Sequence, residues 1–293
     1  MLMINKIGIV GSGIMGQGIS QVFLRNNYHV MLIDISDEIL KNSRENIING
    51  KYGLNKLVEK NIISNDDVKK IMDNLETSVN YEDLKSCDLI IEAAPEIKNL
   101  KINILENIEK NCNEETIIAS NTSGIMISEL SSKVKNKSRV VGMHWFNPAP
   151  LMKLIEIVKT SIVSDETINS IIDLSRKLGK EPVIVKDYPG FFTTNFVQSW
   201  LFESIRLYEK GIASIEDIDK MVKLGFGFPM GPFELMDIIG IDTVNEIGDY
   251  LYSETGEIEK ISPSILKEMF YSGYYGNKKI KKNSNGGWYD LKK

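Results

Sequence analysis

Lys6-Ile-Gly-Ile-Val10 runs straight into Gly11-Ser-Gly13-Ile-Met-Gly16, and an amphipathic stretch continues from there to Asn26. This passage decides the fold. An apolar pentapeptide ending in a glycine turn that opens a helix is the start of a dinucleotide-binding βαβ unit. Each glycine has its own work: Gly11 for the tight turn, Gly13 for close approach of a diphosphate, Gly16 for packing helix on strand. The phosphates are expected on free N–H groups at the positive end of the helix. A second apolar run, His29–Ile33, ends in Asp34, 18 residues after Gly16. A carboxylate there accepts both ribose hydroxyls and repels a 2′-phosphate, and no Lys or Arg occurs at positions 35–40. The cofactor expected is therefore NAD rather than NADP.

Working outward, further apolar runs at 88–92, 116–120 and 139–143 alternate with helical patterns. That alternation reads as α/β: a doubly wound (Rossmann) parallel sheet. Residues 37–75 break the rhythm. They are rich in Lys and Asn, helical in pattern and interrupted near 63–65, so they read as a two-helix excursion, with a solvated insertion as the alternative. Asp187-Tyr-Pro-Gly190 punctuates the end of the last strand. Beyond it the pattern is helical at 195–210, 214–224, 233–239, 241–252 and 263–271, with cap-like starts at Ser214 (before Asp217) and Asp242. Residues 278–287 read as a mobile polar loop. The domains expected are 1–186, a Rossmann domain carrying a helical arm at about 37–75, and 187–293, all-helical.

Composition narrows the function. Formal net charge is −5, which gives no general affinity for nucleic acid or anionic membranes. The apolar runs are strand-length, short of the roughly 20 residues of a membrane helix. The N-terminus lacks a basic segment followed by an apolar one, so a cytoplasmic protein is expected. Cys87 and Cys112 have neither CxxC spacing nor nearby histidines, so no metal site and no disulfide is expected.

Polar residues collect near three strand ends: Ser120-Asn-Thr-Ser123-Gly124, Met143-His144-Trp-Phe-Asn147-Pro, and Leu154-Ile-Glu156. Ligands of a doubly wound sheet gather at such ends. Oxidising an alcohol requires a group that takes the hydroxyl proton as hydride departs, and histidine suits this because it titrates near working pH. There are two histidines. His29 starts its strand, at the wrong end for chemistry, which leaves His144. Glu156, on the next apolar run, is the natural carboxylate to hold the other ring nitrogen. Taken singly, each has a plainer reading: a structural histidine, an exposed strand glutamate, and for Ser123 a turn hydroxyl.

At these residues the sequence resembles the 3-hydroxyacyl-CoA dehydrogenases, particularly the short-chain 3-hydroxybutyryl-CoA enzymes of bacteria. The resemblance covers nearly the whole chain. It takes in the glycine turn with Asp34, Ile91-Glu92-Ala93 followed by Glu96 and Lys101, and Ser-Asn-Thr-Ser123. It continues through His144-Trp-Phe-Asn147-Pro, Met152-Lys-Leu-Ile-Glu156, Pro189-Gly-Phe191 and Pro229-Met-Gly-Pro-Phe-Glu-Leu235. It implies reversible NAD-dependent oxidation of an L-3-hydroxyacyl-CoA, with His144 as general base and Glu156 as its partner. Ser123 and Asn147 match residues bridging cofactor and substrate, and Glu96 and Lys101 match cofactor contacts. Lys278 lies near a tail lysine used at the cofactor. The excursion at 37–75 resembles an arm over the CoA nucleotide, with Lys51, Lys56 and Lys60 as candidate phosphate contacts. The helical half resembles a dimerisation domain, so a homodimer is expected.

The chain also departs from the family. Thr194 and Asn195 stand where the family has an Asn-Arg pair at the substrate, Gly124 replaces a serine, and the tail is longer. Two other functions therefore stand beside the first. One is NAD-dependent oxidation of a free 3-hydroxy acid of sugar-acid or carnitine type, which would not bind CoA. The other is a non-catalytic NAD-binding protein, against which Ser123, His144 and Glu156 argue. Dehydrogenases that use a lysine as general acid or base are disfavoured by the His–Glu pairing.

Overall fold

A run buried on both faces can only sit mid-sheet, and β1 (Lys6–Val10) does, with Ile7 and Ile9 fully buried. The computed structural model describes residues 4–291, so the outermost limits of the expected domains, 1 and 293, lie outside the described residues. Two compact units divide between Phe191 and Phe192.

The first unit is built on an eight-stranded sheet. With β2 (His29–Ile33), β3 (Leu75–Ser78), β4 (Leu89–Glu92), β5 (Ile117–Ser120), β6 (Val140–Trp145), β7 (Leu154–Lys159) and β8 (Glu181–Lys186), its order is β3-β2-β1-β4-β5-β6-β7-β8. The chain steps to β2 on one side of β1 and returns to β4 on the other, which opens a crevice at the carboxyl ends of β1 and β4. β1 to β6 are parallel.

The sheet is mostly parallel, as the sequence reading has it, with one reversal. β7 runs antiparallel to β6, and β8 follows β7. The reason is length: residues 146–153 separate β6 from β7, too few for the crossover that a parallel neighbour demands.

α1 (Ile14–Arg25) buries Ile19 and Phe23 against the sheet. The excursion is three helices rather than two: α2 (Asp37–Asn49), α3 (Asn55–Glu59) and α4 (Asn65–Asp73). Ser36 caps α2, and Ser64 with Asp67 forms a capping box on α4. The extra break falls at Gly50 and Gly53, where a Cβ would meet Asn46 O and Ile48 O, each at 2.5 Å. Leu40, Ile47, Leu54, Val68 and Met72 join the main core, so the segment is packed structure and not a solvated insertion. It leads into β3, an edge strand too short and polar to show in the sequence. α5 (Lys98–Asn111), α6 (Ile127–Leu130) and α7 (Asp165–Lys177) complete the unit.

The second unit holds α8 (Thr193–Glu209), α9 (Ile215–Phe226), α10 (Pro232–Ile239), α11 (Ile241–Thr255) and α12 (Ser264–Tyr271). Its core gathers Phe202, Phe233, Met236, Leu266 and Trp288. Ser214 caps α9 as expected. Asp242 is no cap: Gly240 holds that place, and Asp242 pairs with Lys281 at 2.8 Å. The tail is tied rather than loose. Gly276 N–H donates to Gly286 O, Asn285 N–H donates to Gly273 O, and Trp288 is 1% exposed beyond them. Asn, Ser and Gly satisfy the loop's own backbone, which composition alone reads as a lack of structure. Among the described residues no helix is long and apolar enough to cross a membrane.

Candidate active site

The glycine turn lies at the mouth of the crevice. Gly11 has φ +101, and a Cβ there would meet the Ala93 and Ala94 backbone at 2.7 Å, so it lets the turn rest on the loop after β4. A Cβ on Gly16 would come within 1.8 Å of Gly11 O. Gly13 differs: nothing lies within 4 Å of its Cβ position. It is the N-cap of α1 and gives no side-chain cap bond, so open space meets the unsatisfied N–H groups of the helix start. That is the volume a diphosphate requires.

Asp34 follows β2 beside this turn. Its Oδ2 accepts the Ser12 N–H at 2.6 Å and the Ser12 hydroxyl at 2.7 Å, and Oδ1 accepts the Ile35 N–H. Ser43 of α2 donates to Ser12 O at 2.7 Å, so the packed excursion braces the turn from behind. Ser12, 1% exposed, has no evident role in the sequence. Only the spacing of the motif marks it.

A polar cluster closes the ends of β4 and β5. Lys101 is 1% exposed, and its ammonium meets Glu92 Oε1 at 2.8 Å and Oε2 at 3.0 Å, Ala94 O at 3.0 Å and Glu96 Oε2 at 3.2 Å. Glu92, wholly buried, also accepts the Ala94 N–H at 2.7 Å and the Ser120 hydroxyl at 2.6 Å. Glu96 Oε1 accepts the Thr122 hydroxyl at 2.5 Å and the Ser123 N–H at 2.9 Å. Ser123 and Glu96, expected at one site, are thus joined, while Lys101 grips both glutamates from beneath. Glu92 stands in a quoted motif but was given no role by sequence reasoning, although a lone acid ending a fully apolar strand was a visible signal.

His144 and Glu156 face each other across the antiparallel step. Their Cα atoms are direct partners in the β6–β7 register, and His144 Nδ1 lies 2.9 Å from Glu156 Oε2. The pair is 6% and 1% exposed. A carboxylate can only accept, so Nδ1 carries the proton and Nε2 is the basic nitrogen. Phe146 lies against the imidazole at 4.4 Å between ring centroids, and Phe191 lies 6.2 Å away. Asn121 Oδ1 accepts the Trp145 N–H at 2.8 Å and joins the β5 loop to β6 next to the histidine. Asn147 is exposed just past β6, on a cis peptide to Pro148.

Other expected residues belong to other elements. Lys56 is exposed on α3 and paired with Glu59 at 2.8 Å, while Lys51 lies over the Tyr52 ring. Thr194 and Asn195 occupy the first turn of α8 in the second unit. Lys260, 4% exposed, donates to Asn195 Oδ1 and to Ser199 Oγ, so a buried amine engages the residue at the family's arginine position. Lys278 is exposed in the tail loop. Among the described residues no group of three or more His, Cys, Asp or Glu side chains could hold a metal ion.

Known proteins resemble this chain over nearly its whole length. Residues 6–188 match the family model described as 3-hydroxyacyl-CoA dehydrogenase, NAD binding domain, and residues 190–285 match the corresponding C-terminal domain. A 3-hydroxybutyryl-CoA dehydrogenase of Clostridioides difficile is 35% identical over 98% of this chain and the whole of that one. The human mitochondrial hydroxyacyl-coenzyme A dehydrogenase is 36% identical over 99% of this chain and 92% of that one. Among solved structures, an (S)-3-hydroxybutyryl-CoA dehydrogenase of Ralstonia eutropha superposes with a TM-score of 0.90 at 36% identity, covering 94% of this chain and 97% of that one.

Proposed function

The chain belongs to the 3-hydroxyacyl-CoA dehydrogenase family of NAD-dependent oxidoreductases, and from that premise we propose that it oxidises a short-chain L-3-hydroxyacyl-CoA, reversibly, with His144 as the base. The observation that carries the proposal is the buried His144–Glu156 pair, 2.9 Å apart at the strand ends.

The residues present fit the cofactor. Gly13 leaves the diphosphate volume open, the N–H groups of α1 face it, and Asp34 stands at the ribose end. When bound, NAD takes the hydride from the substrate carbon in oxidation and returns it in reduction. His144 Nε2 takes the hydroxyl proton as the carbonyl forms, and the imidazolium gives it back in reduction. Glu156 holds the ring in the productive tautomer and stabilises the imidazolium. Ser123 and Asn147 present polar groups near the same strand ends and bind substrate and cofactor. Lys56, once released from Glu59, belongs to the arm that meets the CoA nucleotide. On the family resemblance alone, Thr194 and Asn195 are assigned to the substrate and Lys278 to the cofactor.

Two further parts complete the proposal. The chain is a homodimer through its helical unit, supported by Met221, Leu224 and Phe226 on α9, exposed by 54%, 78% and 76%. It resides in a reducing cytoplasm, which both free cysteines suit.

The deciding experiment follows NADH absorbance with acetoacetyl-CoA and, separately, with free acetoacetate. Turnover of the thioester alone, reduced about 10³-fold or more in a His144→Gln variant, is expected. Turnover of the free acid alone would transfer the reading to a 3-hydroxy acid dehydrogenase. NAD binding without turnover of either would make the chain non-catalytic.

A further inference from the structure

We propose that the Glu92–Lys101–Glu96 cluster is an electrostatic bias on the cofactor, favouring its oxidised form over its reduced form. The inference rests on the NAD-binding reading above.

Two carboxylates share one ammonium here: Lys101 lies 2.8 Å from Glu92 and 3.2 Å from Glu96. The charges do not cancel, and the excess is negative. Burial decides where that excess is felt. The Glu92 and Lys101 side chains are 0% and 1% exposed, whereas Glu96 is 44% exposed. Glu92 is saturated from within by Lys101, Ala94 N–H and the Ser120 hydroxyl. Glu96 is therefore the face that the cluster turns outward. It cannot swing away freely, because the Thr122 hydroxyl and the Ser123 N–H hold its Oε1.

The topology places this charge under one half of a dinucleotide. Asp34 at the end of β2 fixes the adenosine side, and the glycine turn on β1 fixes the diphosphate. The other half must then run over β4 and β5, where Glu96 and Ser123 sit. The oxidised nicotinamide ring is a cation and the reduced ring is neutral. A fixed negative charge on that side attracts the first and is indifferent to the second. Because the carboxylate is locked before the cofactor arrives, little reorganisation opposes the attraction.

The test is equilibrium binding of NAD⁺ and of NADH to the full-length protein, without substrate, for wild type, Glu96→Gln and Glu96→Asp. Glu96→Gln removes the charge and keeps the shape, so the ratio Kd(NAD⁺)/Kd(NADH) is expected to rise about fivefold. Glu96→Asp keeps the charge and is expected to hold the ratio within about twofold of wild type. A purely structural role would weaken both forms in parallel. A parallel loss, or no change in Glu96→Gln, overturns the inference while leaving NAD binding intact. Failure of the wild type to bind either form sinks the underlying reading instead.

Discussion

Cys87 lies 2% exposed beneath the sheet, and burial pushes its thiol up to about 12. At pH 8 only about one molecule in ten thousand then holds a thiolate there. Native protein titrated with a chromogenic disulfide is expected to leave Cys87 unmodified for hours and to expose both thiols on unfolding. Fast labelling of Cys87 in native protein would show that this side of the sheet opens. Asp237 is a second buried group. Burial raises its carboxyl to about 6, although the N–H groups of Trp288 and Tyr289 pull the other way. The folded state thus keeps this proton to higher pH than the unfolded chain does. Its stabilising contribution is full below about pH 4 and is lost as pH rises through 6, an effect on the order of 2 kcal/mol. Urea unfolding of wild type and Asp237→Asn at pH 4.5 and 7 measures it: wild type is expected to lose ground to the variant at pH 7. A difference between them that is the same at both pH values would refute the assignment. His144 was legible because the other histidine starts its strand. Glu156 was legible only as a nearby carboxylate, since the register that sets it opposite His144 depends on a strand reversal. The roles of Glu92 and Ser12 were not legible because their partners lie far along the chain: Ser120 is 28 residues from Glu92, and Asp34 is 22 from Ser12.

Among elements, two of the glycines in the β1–α1 motif are required for opposite reasons. Gly16 is pressed against Gly11 O, which is backbone and cannot yield. Gly16→Ala is expected to destabilise the fold by about 2 kcal/mol or more, seen as a lower midpoint in urea. Gly13 faces open space, so Gly13→Ala should leave that midpoint unchanged and weaken NAD binding roughly tenfold through steric conflict with the phosphates. If both variants fell in stability together, Gly13 would have a packing role that the geometry denies. Strands were read well where both faces are buried, as in Leu89–Glu92 and Ile117–Ser120, because such runs stand out from amphipathic neighbours. β3 was not, since Leu75-Glu-Thr-Ser78 buries one leucine and leaves its acid in water. The direction of β7 was invisible in composition, and only the length of its connection carried it. All five helices of the second unit were legible, because each has a full apolar stripe against one core.

For the whole molecule, the exposed apolar side chains of α9 make assembly testable. Sedimentation equilibrium of the wild type is expected to give twice the chain mass of 33.1 kDa. A Leu224→Glu, Phe226→Ser double variant should give a monomer, because a charge replaces the most exposed leucine of that face. A wild-type monomer would end the dimer proposal. Where the two units join matters for anyone dividing the protein. Asp187 accepts the N–H groups of Ile127 and Ser128 at 2.8 and 2.9 Å, and so holds the first turn of α6. Gly190 N–H donates to Gly124 O beside Ser123, and Phe191, at φ +47, packs its ring near His144. The connecting segment is thus tied to the serine loop and packed beside His144. A nucleotide-binding fragment stopped at residue 186 would lose the clamp on the serine loop and the lid of the histidine, though its sheet would be complete. One ended after Phe191 would keep both. A gene fusion or domain graft that treats 187–191 as spacer would deliver the whole sheet with its serine loop unclamped and His144 uncovered on the Phe191 side.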